Sequence, residues 1–376
     1  MDHVLVRYAE IGTKSRGVEL EMLSRLRDRV AERLAGTDAT GTVTLVRGRI
    51  LVETPVPARV AQLVAPLPGV ASTSPAVRTE PTVKAIAGTA TEVDVGATFG
   101  VDTNIGGTVS VSSHRVNEVV GAEIEAASDA TVDLDAPETW VEVDVREAGA
   151  FVFTTRYEGP GGFPVGSQAP VAALISGGID SPVAAYEAMT RGSPVVPVYA
   201  YNRPYAAGDH LARFETILDR LQRFHPAGDW GYYRIDMEPV NEALSEVDTG
   251  RMLLQRAVML RAAAHVAEEA GLAGVVTGES IGQKSSQTAA NLAITSATVD
   301  LPVHRPLLTQ TKAEITDRAR TIDTFEVATV DSACRSIAPE NPATALAQDR
   351  FEELAAAVDL DALTEEAIAG IEFVDR

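Results

Sequence analysis

The period of the hydrophobic positions changes along the chain, and each change marks an element. Val4 to Tyr8 alternates as a strand does, and Arg16 to Leu34 repeats its apolar residues at helical spacing. Val43 to Val46 and Ile50 to Val52 read as a hairpin around Arg47-Gly48-Arg49, Arg59 to Ala65 as a helix and Gly69 to Val77 as a strand. Thr82 to Val95 shows neither period and is expected to be a helix-poor join. Phe99 to Val111, Trp140 to Val145 and Ala150 to Tyr157 alternate as strands, with a helix at Val116 to Ala127. Beyond Glu158 to Gly166, rich in glycine and proline, the strands become short apolar runs suited to burial: Val171 to Ile175, Val195 to Tyr201, Tyr232 to Met237 and Val275 to Thr277. Helical stretches at Ser181 to Arg191, Arg213 to Phe224 and Met252 to Ala270 alternate with them, and an acidic helix is expected from Ala345 to Glu372.

This order predicts an α/β protein. A small ferredoxin-like α+β domain is expected over residues 1–80 and a compact second module over 81–165. A doubly wound, mostly parallel sheet is expected over 166–376. Ligands of such sheets sit beyond the carboxyl ends of the strands.

The chain has 376 residues, long enough for two or three cores, and 45% of them are hydrophobic. No charged-then-apolar leader opens it and no apolar run approaches the ~20 residues that span a bilayer, so a cytoplasmic setting without membrane contact is expected. One cysteine, Cys334, excludes an internal disulfide and an all-cysteine metal site. The net charge is −21, and lysine is confined to Lys14, Lys84, Lys284 and Lys312. So acidic and lysine-poor a surface suits a cytoplasm of high salt. The charge is uneven: residues 1–85 carry 12 basic against 9 acidic residues, whereas 86–170 carry 3 against 14. A basic head on an acidic body points to a polyanionic partner, although Arg25, Arg27, Arg29 and Arg33 taken alone read as a solvated helix face.

The chemistry centres on Pro170 to Arg191, PVAALISGGIDSPVAAYEAMTR. A buried strand breaks at Ser176-Gly177-Gly178 and resumes as a helix. Bare backbone and the first helical N–H groups there favour phosphate. No lysine follows the glycines, so this is not the Lys-Ser/Thr nucleotide loop. SGGIDS resembles the PP-loop, SGGxDS, of the ATP pyrophosphatases, which cleave ATP between the α and β phosphates. The resemblance implies that Ser176, Gly177, Gly178 and Ser181 cradle pyrophosphate and that Asp180 works through Mg²⁺.

Two further stretches extend the likeness. The basic head followed by FGVDTNIGGTVSVSSHRVNEVVGAEI resembles the THUMP region of tRNA-modifying enzymes, with Ser112, Ser113, His114, Arg115 and Asn117 at its phosphate-contacting helix start. Helix capping by Ser112 and Ser113 is the competing reading. TGESIGQKSSQTAAN, LPVHRPLLTQTKAEI and DSACRSIAPENPAT, together with SGGIDSPVA, resemble the tRNA 4-thiouridine synthetases, also called tRNA sulfurtransferases. That family's ATP contacts fall on Leu174, Ile175, Tyr199, Ala200, Arg256, Gly278 and Gln287. Tyr199-Ala200 departs from the family's more usual His-Phe pair. Lys312 matches a lysine of the adenylation step, and Cys334, in SACRS beside Arg335, matches the family's sulfur-handling cysteine.

The resemblance implies adenylation of a tRNA uridine by Mg·ATP, loss of pyrophosphate, and sulfur transfer that expels AMP. Many members add a rhodanese domain with a second cysteine. This chain ends at Arg376 without one, so sulfur is expected from an external persulfide donor such as a cysteine desulfurase, through Cys334, or from free sulfide. Apart from Mg²⁺ brought with ATP, no metal is expected. Some relatives are dimers, which leaves a homodimer open. The alternatives are sulfur donation to a carrier protein for the thiazole of thiamine, another PP-loop tRNA-modifying enzyme, and a non-catalytic tRNA-binding protein.

Overall fold

The computed structural model describes the chain apart from residue 47 and residues 206–208, 226–229 and 329–342. It forms two compact units, Met1–Val165 and Gly166–Arg376.

The first unit opens with β1 (His3–Tyr8), α1 (Arg16–Ala35), β2 (Thr42–Val46), β3 (Arg49–Glu53), α2 (Pro57–Val64) and β4 (Val70–Thr79). Gly48, at φ +80°, makes the β2–β3 turn in a conformation that other residues resist. Then come α3 (Val83–Ala90), β5 (Thr98–Ile105), α4 (Ser113–Ala127), β6 (Thr131–Val132), β7 (Thr139–Arg146), β8 (Gly149–Phe153) and β9 (Tyr157–Glu158). The strands make one sheet in the order β2-β3-β1-β4-β8-β7-β5-β6, with β9 beside β4. β4 joins the two halves, pairing with β1 over Val70–Ala76 and with β8 over Val77–Thr79.

One face of this sheet lies under helices. α1 and α2 cover Val4, Val6, Ile50 and Val52, and α3 and α4 cover Val141, Val143, Val145 and Val152. The other face curls in on itself. Leu5, Leu51, Ala76, Phe151 and Phe153 make a separate apolar cluster there. Arg49 on β3 reaches the buried Asp144 on β7 at 2.7 Å, although three strands separate β3 from β7 in the sheet. Arg146 pairs with the same carboxylate at 2.6 Å. Arg7 donates to Ser72 Oγ and Ser74 Oγ and lies 4.5 Å over the Phe153 ring. Burial, then the charge of Arg156, pulls its guanidinium down to about 10.

Three expectations for this unit need correction. The join after β4 is not helix-poor: α3 occupies it, with Thr82 Oγ1 accepting from the Ala85 N–H at 3.3 Å. Its buried residues are Ile86, Ala87 and Ala90, and alanines add little to a periodic signal. The strand from Phe99 stops at Ile105, because Gly106 and Gly107 (φ +82° at the latter) turn the chain. The strand from Ala150 is two short ones, β8 and β9. On α1, Arg25, Arg27 and Arg29 pair with Glu21, Asp28 and Glu32 of the same helix, which suits a solvated face.

The second unit runs β10 (Val171–Leu174), α5 (Asp180–Thr190), β11 (Val195–Tyr201), α6 (Asp209–Gln222), β12 (Tyr232–Asp236), α7 (Glu238–Ala243), α8 (Arg251–Glu269) and β13 (Val275–Val276). It continues through α9 (Ala289–Ser296), β14 (Val303–His304), α10 (Lys312–Thr321), α11 (Phe325–Ala328), α12 (Gln348–Ala357), α13 (Leu360–Ala369) and β15 (Glu372–Val374). The sheet order is β14-β13-β10-β11-β12-β15, parallel except for β15, which runs antiparallel to β12. α8 buries Leu253, Leu254, Ala257, Val258 and Leu260 in the core of this sheet. The acidic helix expected at the end of the chain is interrupted. Asp359, at φ +49°, breaks it and caps α13 through the Ala362 N–H, and Glu372–Val374 is a strand.

Candidate active site

The PP-loop lies where β10 ends. Ile175 N still donates to Val198 O at 3.0 Å, and the chain then turns through Ser176-Gly177-Gly178-Ile179 into α5. Two serines hold the turn. Ser176 N donates to Ser181 Oγ at 2.8 Å, Gly178 N donates to Ser176 Oγ at 3.2 Å, and the hydroxyls lie 3.0 Å apart. Gly278, after β13, packs on the start of α5. A Cβ on it would come within 2.6 Å of Ser181 N and 2.7 Å of the Asp180 carbonyl carbon. Its missing side chain therefore lets the TGES loop approach the PP-loop helix.

Asp180, the first residue of α5, meets Lys312, the first residue of α10. Lys312 Nζ donates to Asp180 Oδ1 at 2.6 Å across 132 residues of sequence. Thr311 and Glu314 fix the start of α10 by a reciprocal capping box. The ammonium end is half exposed, whereas Asp180 is largely buried.

A second cluster stands beyond β13. The carboxylate of Glu279, 4% exposed, takes Arg256 Nη1 at 2.8 Å and Arg305 Nε at 2.6 Å, and accepts from Thr277 Oγ1 at 3.0 Å. Arg256 comes from α8 and Arg305 follows β14, so one carboxylate ties together three elements around the site. Glu279, Arg305 and Thr277 were not among the sequence candidates. The available signal was positional: polar residues directly after two neighbouring parallel strands, where sheets of this kind hold ligands. Gln287, in the 3-10 turn Ser285–Gln287, is buried with Oε1 lacking a partner, and Arg305 Nη2 is likewise buried and unpartnered.

Leu174 and Ile175 end β10, and Tyr199 and Ala200 lie near the end of β11. The Tyr199 ring stacks on Phe214 of α6 at 4.2 Å, and burial raises its hydroxyl well above the usual range. Packed inward, Tyr199 offers the strand end its backbone rather than an aromatic face. Cys334 lies outside the described residues. In the first unit Ser112 caps α4, accepting from the Arg115 N–H at 3.3 Å, while Ser113 is the first helical residue. Ser113, His114 and Arg115 are exposed there, and Arg115 pairs with Glu118 at 2.8 Å. Asn117 is partly buried, its Oδ1 without a partner. Among the described residues no group of three His, Cys, Asp or Glu could hold a metal, and no helix is long and apolar enough to cross a membrane.

Comparison with known proteins matches three stretches of the chain. A ferredoxin-like domain of the ThiI type matches residues 3–74, a THUMP domain residues 82–155, and the family described as thiamine biosynthesis protein (ThiI) residues 166–360. A probable tRNA sulfurtransferase of Halobacterium salinarum is 46% identical over 92% of this chain and 90% of its own length. One from Methanosarcina acetivorans is 33% identical over 90% and 85% respectively. Among solved structures, a 4-thiouridine synthetase in complex with RNA and ATP superposes with a TM-score of 0.85 at 28% identity, covering 100% of this chain and 99% of that one.

Proposed function

The chain belongs to the ThiI family of tRNA sulfurtransferases, and from that premise we propose that it converts a tRNA uridine to 4-thiouridine using ATP. The observation that carries this reading is the Lys312–Asp180 pair at 2.6 Å over the SGGIDS turn. Two residues far apart in sequence, each matching a catalytic position of the family, meet at an anion-binding helix start. The 4-thiouridine synthetase complex with RNA and ATP supports the same substrates here.

The residues fit ATP. Ser176, Gly177, Gly178 and Ser181 form a turn with no side chain larger than a hydroxymethyl, and Gln287 Oε1 is a buried acceptor that the adenine amine would satisfy. Strand-end backbone at Leu174, Ile175, Tyr199 and Ala200, with Gly278, borders the nucleotide, and Arg256 draws charge from the phosphates. Mg²⁺ fits Asp180, since nucleotide-bound magnesium takes one or two carboxylates and completes its shell with phosphate and water. When bound, the ion would offset phosphate charge.

Uridine O4 attacks the α-phosphorus, the bond to the α–β bridging oxygen breaks, and pyrophosphate leaves with that electron pair into the SGGIDS turn. Lys312 stabilises charge on the α-phosphate and the chain holds the reactants in line. Sulfur then attacks C4 of the adenylated uridine and AMP departs. Free sulfide gives the thiocarbonyl directly. Where the sulfur is instead the outer sulfur of a persulfide on Cys334, loaded by an external donor, its attack leaves a Cys334–S–S–C4 disulfide. An external thiol breaks that S–S bond, releasing 4-thiouridine and forming a mixed disulfide with Cys334. Residues 1–80 and 81–165 serve as the ferredoxin-like and THUMP domains that hold tRNA, with Ser113, His114 and Arg115 at the exposed start of α4. Residues 166–376 carry out the chemistry, in the cytoplasm.

The test is nucleoside mass spectrometry of tRNA incubated with the protein, Mg·ATP and sulfide at high salt. A 4-thiouridine peak that disappears without ATP is expected. Pyrophosphate release without thiolated base would leave the adenylation step and remove the sulfur step, and the absence of both would sink the reading. Cys334→Ala with undiminished sulfide-driven thiolation would exclude an obligatory persulfide.

A further inference from the structure

Four arginines near the carboxyl ends of the parallel strands have carboxylate partners. Arg203 pairs with Asp236 and Glu238, Arg234 with Glu372, and Arg256 and Arg305 with Glu279. Arg213, at the start of the second turn of α6, differs. It makes no ion pair or side-chain hydrogen bond with a described residue, and its Nη1 is buried without a partner. An unsatisfied buried guanidinium nitrogen is destabilising. In a chain with 53 acidic residues, an arginine without a partner among the described residues calls for a ligand here.

Its position indicates which one. A Cβ on Gly177 would lie 3.4 Å from Arg213 Cδ and 3.9 Å from Nη1, so the arginine packs along the bare backbone of the PP-loop. His210, one turn earlier on α6, is held below its ordinary value by burial and then by Arg213, which fits a charge left unneutralised by the protein. The start of α5, the loop backbone and Arg213 therefore border the same volume, and all three favour an anion.

We propose that Arg213 is the third wall of the pyrophosphate cradle, binding the β- and γ-phosphates of ATP and then the departing pyrophosphate, and not the AMP part. This rests on the ATP-dependent reading of the site. No bond forms to Arg213: it receives the charge that appears on pyrophosphate when the α–β bridge breaks. Nothing in the SGGxDS pattern points to it, because it is carried by the next helix of the fold.

The experiment is calorimetric titration of the full chain at one fixed high salt concentration with ATP, pyrophosphate and AMP, for the wild type, Arg213→Gln and Arg213→Lys. Loss of a charged hydrogen bond predicts about a 10- to 100-fold weaker binding of ATP and pyrophosphate by Arg213→Gln. AMP affinity should stay within about twofold and Arg213→Lys should recover part of the loss, because a point charge keeps the attraction without the fork. Steady-state assays should show the loss mainly in KM for ATP. Equal weakening for AMP and ATP would mean a general distortion and would overturn the proposal, as would unchanged pyrophosphate binding. A wild type that binds ATP while the variant binds it equally well removes only the role of Arg213. A wild type that binds no ATP removes the reading beneath it as well.

Discussion

Two clusters of the same make-up stand in the two units. In the first, the buried Asp144 takes Arg49 and Arg146. In the second, the buried Glu279 takes Arg256 and Arg305. Each is one carboxylate with two arginines, and charge counting cannot separate them. Their surroundings do. Asp144 lies in the curl of a sheet, beside the apolar cluster of Leu5, Phe151 and Phe153, and ties β3 to β7. Glu279 follows a parallel strand, next to a glycine that lets its loop touch the start of α5. Buried unpartnered polar atoms stand near both clusters, Gln287 Oε1 and Arg305 Nη2 here and Arg7 Nη2 by Asp144, so the strand-end position is what separates them. The first cluster ties strands of one sheet together, and on the function proposed above the second holds cations ready for ATP. A buried ion pair is weak evidence of stabilisation in either place, so the distinction has to be drawn by what each removal disturbs.

The largest effect is expected from Asp144→Ala. It leaves Arg49 and Arg146 without their carboxylate in the curl, which should cost about 3–5 kcal/mol of stability. Denaturant unfolding at fixed salt reads the loss, and ATP affinity of the remaining folded protein should not change. A variant that stays stable but binds ATP poorly would erase the contrast between the clusters.

How far the sequence revealed these regions follows from the same difference. SGGIDS, GESIGQ and the strand-helix alternation are local patterns, so the PP-loop turn and the parallel sheet were legible. The Lys312–Asp180 meeting could be anticipated only by resemblance, since 132 residues separate the partners. The curl that joins Arg49 to Asp144 left no trace in periodicity, because it depends on sheet bending across three strands. α3 was missed because its buried face is largely alanine, and β15 because an acidic stretch with helical spacing continues into it. Arg213 and Glu279 escaped notice for another reason: an arginine on an amphipathic helix and a glutamate in a loop acquire meaning only from their partners, or from the lack of them.

Asp180→Asn comes next and tests the ligand side. It removes the carboxylate that pairs with Lys312 and lies at the start of α5 but keeps the shape, so stability should fall by about 1 kcal/mol. Thiolation should fall by roughly 100-fold, the scale for losing one charge-stabilising group at a reacting phosphate. Pyrophosphate release measured with tRNA present checks it, and release at wild-type rate would take Asp180 out of the chemistry. Glu279→Gln should fall between the two cases. The neutral amide still accepts a hydrogen bond but leaves Arg256 and Arg305 uncompensated, for about 2 kcal/mol of stability. It should also raise KM for ATP, whereas Asp144→Ala should not. Lost stability with unchanged KM would make Glu279 a second Asp144.

The smallest effect reports on charge alone. Burial and then Arg213 hold His210 below the ordinary histidine value, with Asp209 opposing. Lowered in this way, His210 takes up its proton less readily folded than unfolded. Its contribution to stability is therefore present above the unfolded value and lost as pH falls through the folded one. Arg213→Gln removes one of the lowering charges, so the His210 ring resonances should titrate at higher pH in the variant, and the stability lost on acidification should shrink. Pyrophosphate bound to the wild type should move the same resonances in the same direction, since an anion beside Arg213 offsets its charge. A histidine that moves with the mutation but not with pyrophosphate would place the anion elsewhere. One that moves with neither would mean the charge of Arg213 is already offset within the protein, as those of Arg49 and Arg146 are in part by Asp144, and the difference between the two regions would then lie only in their shape.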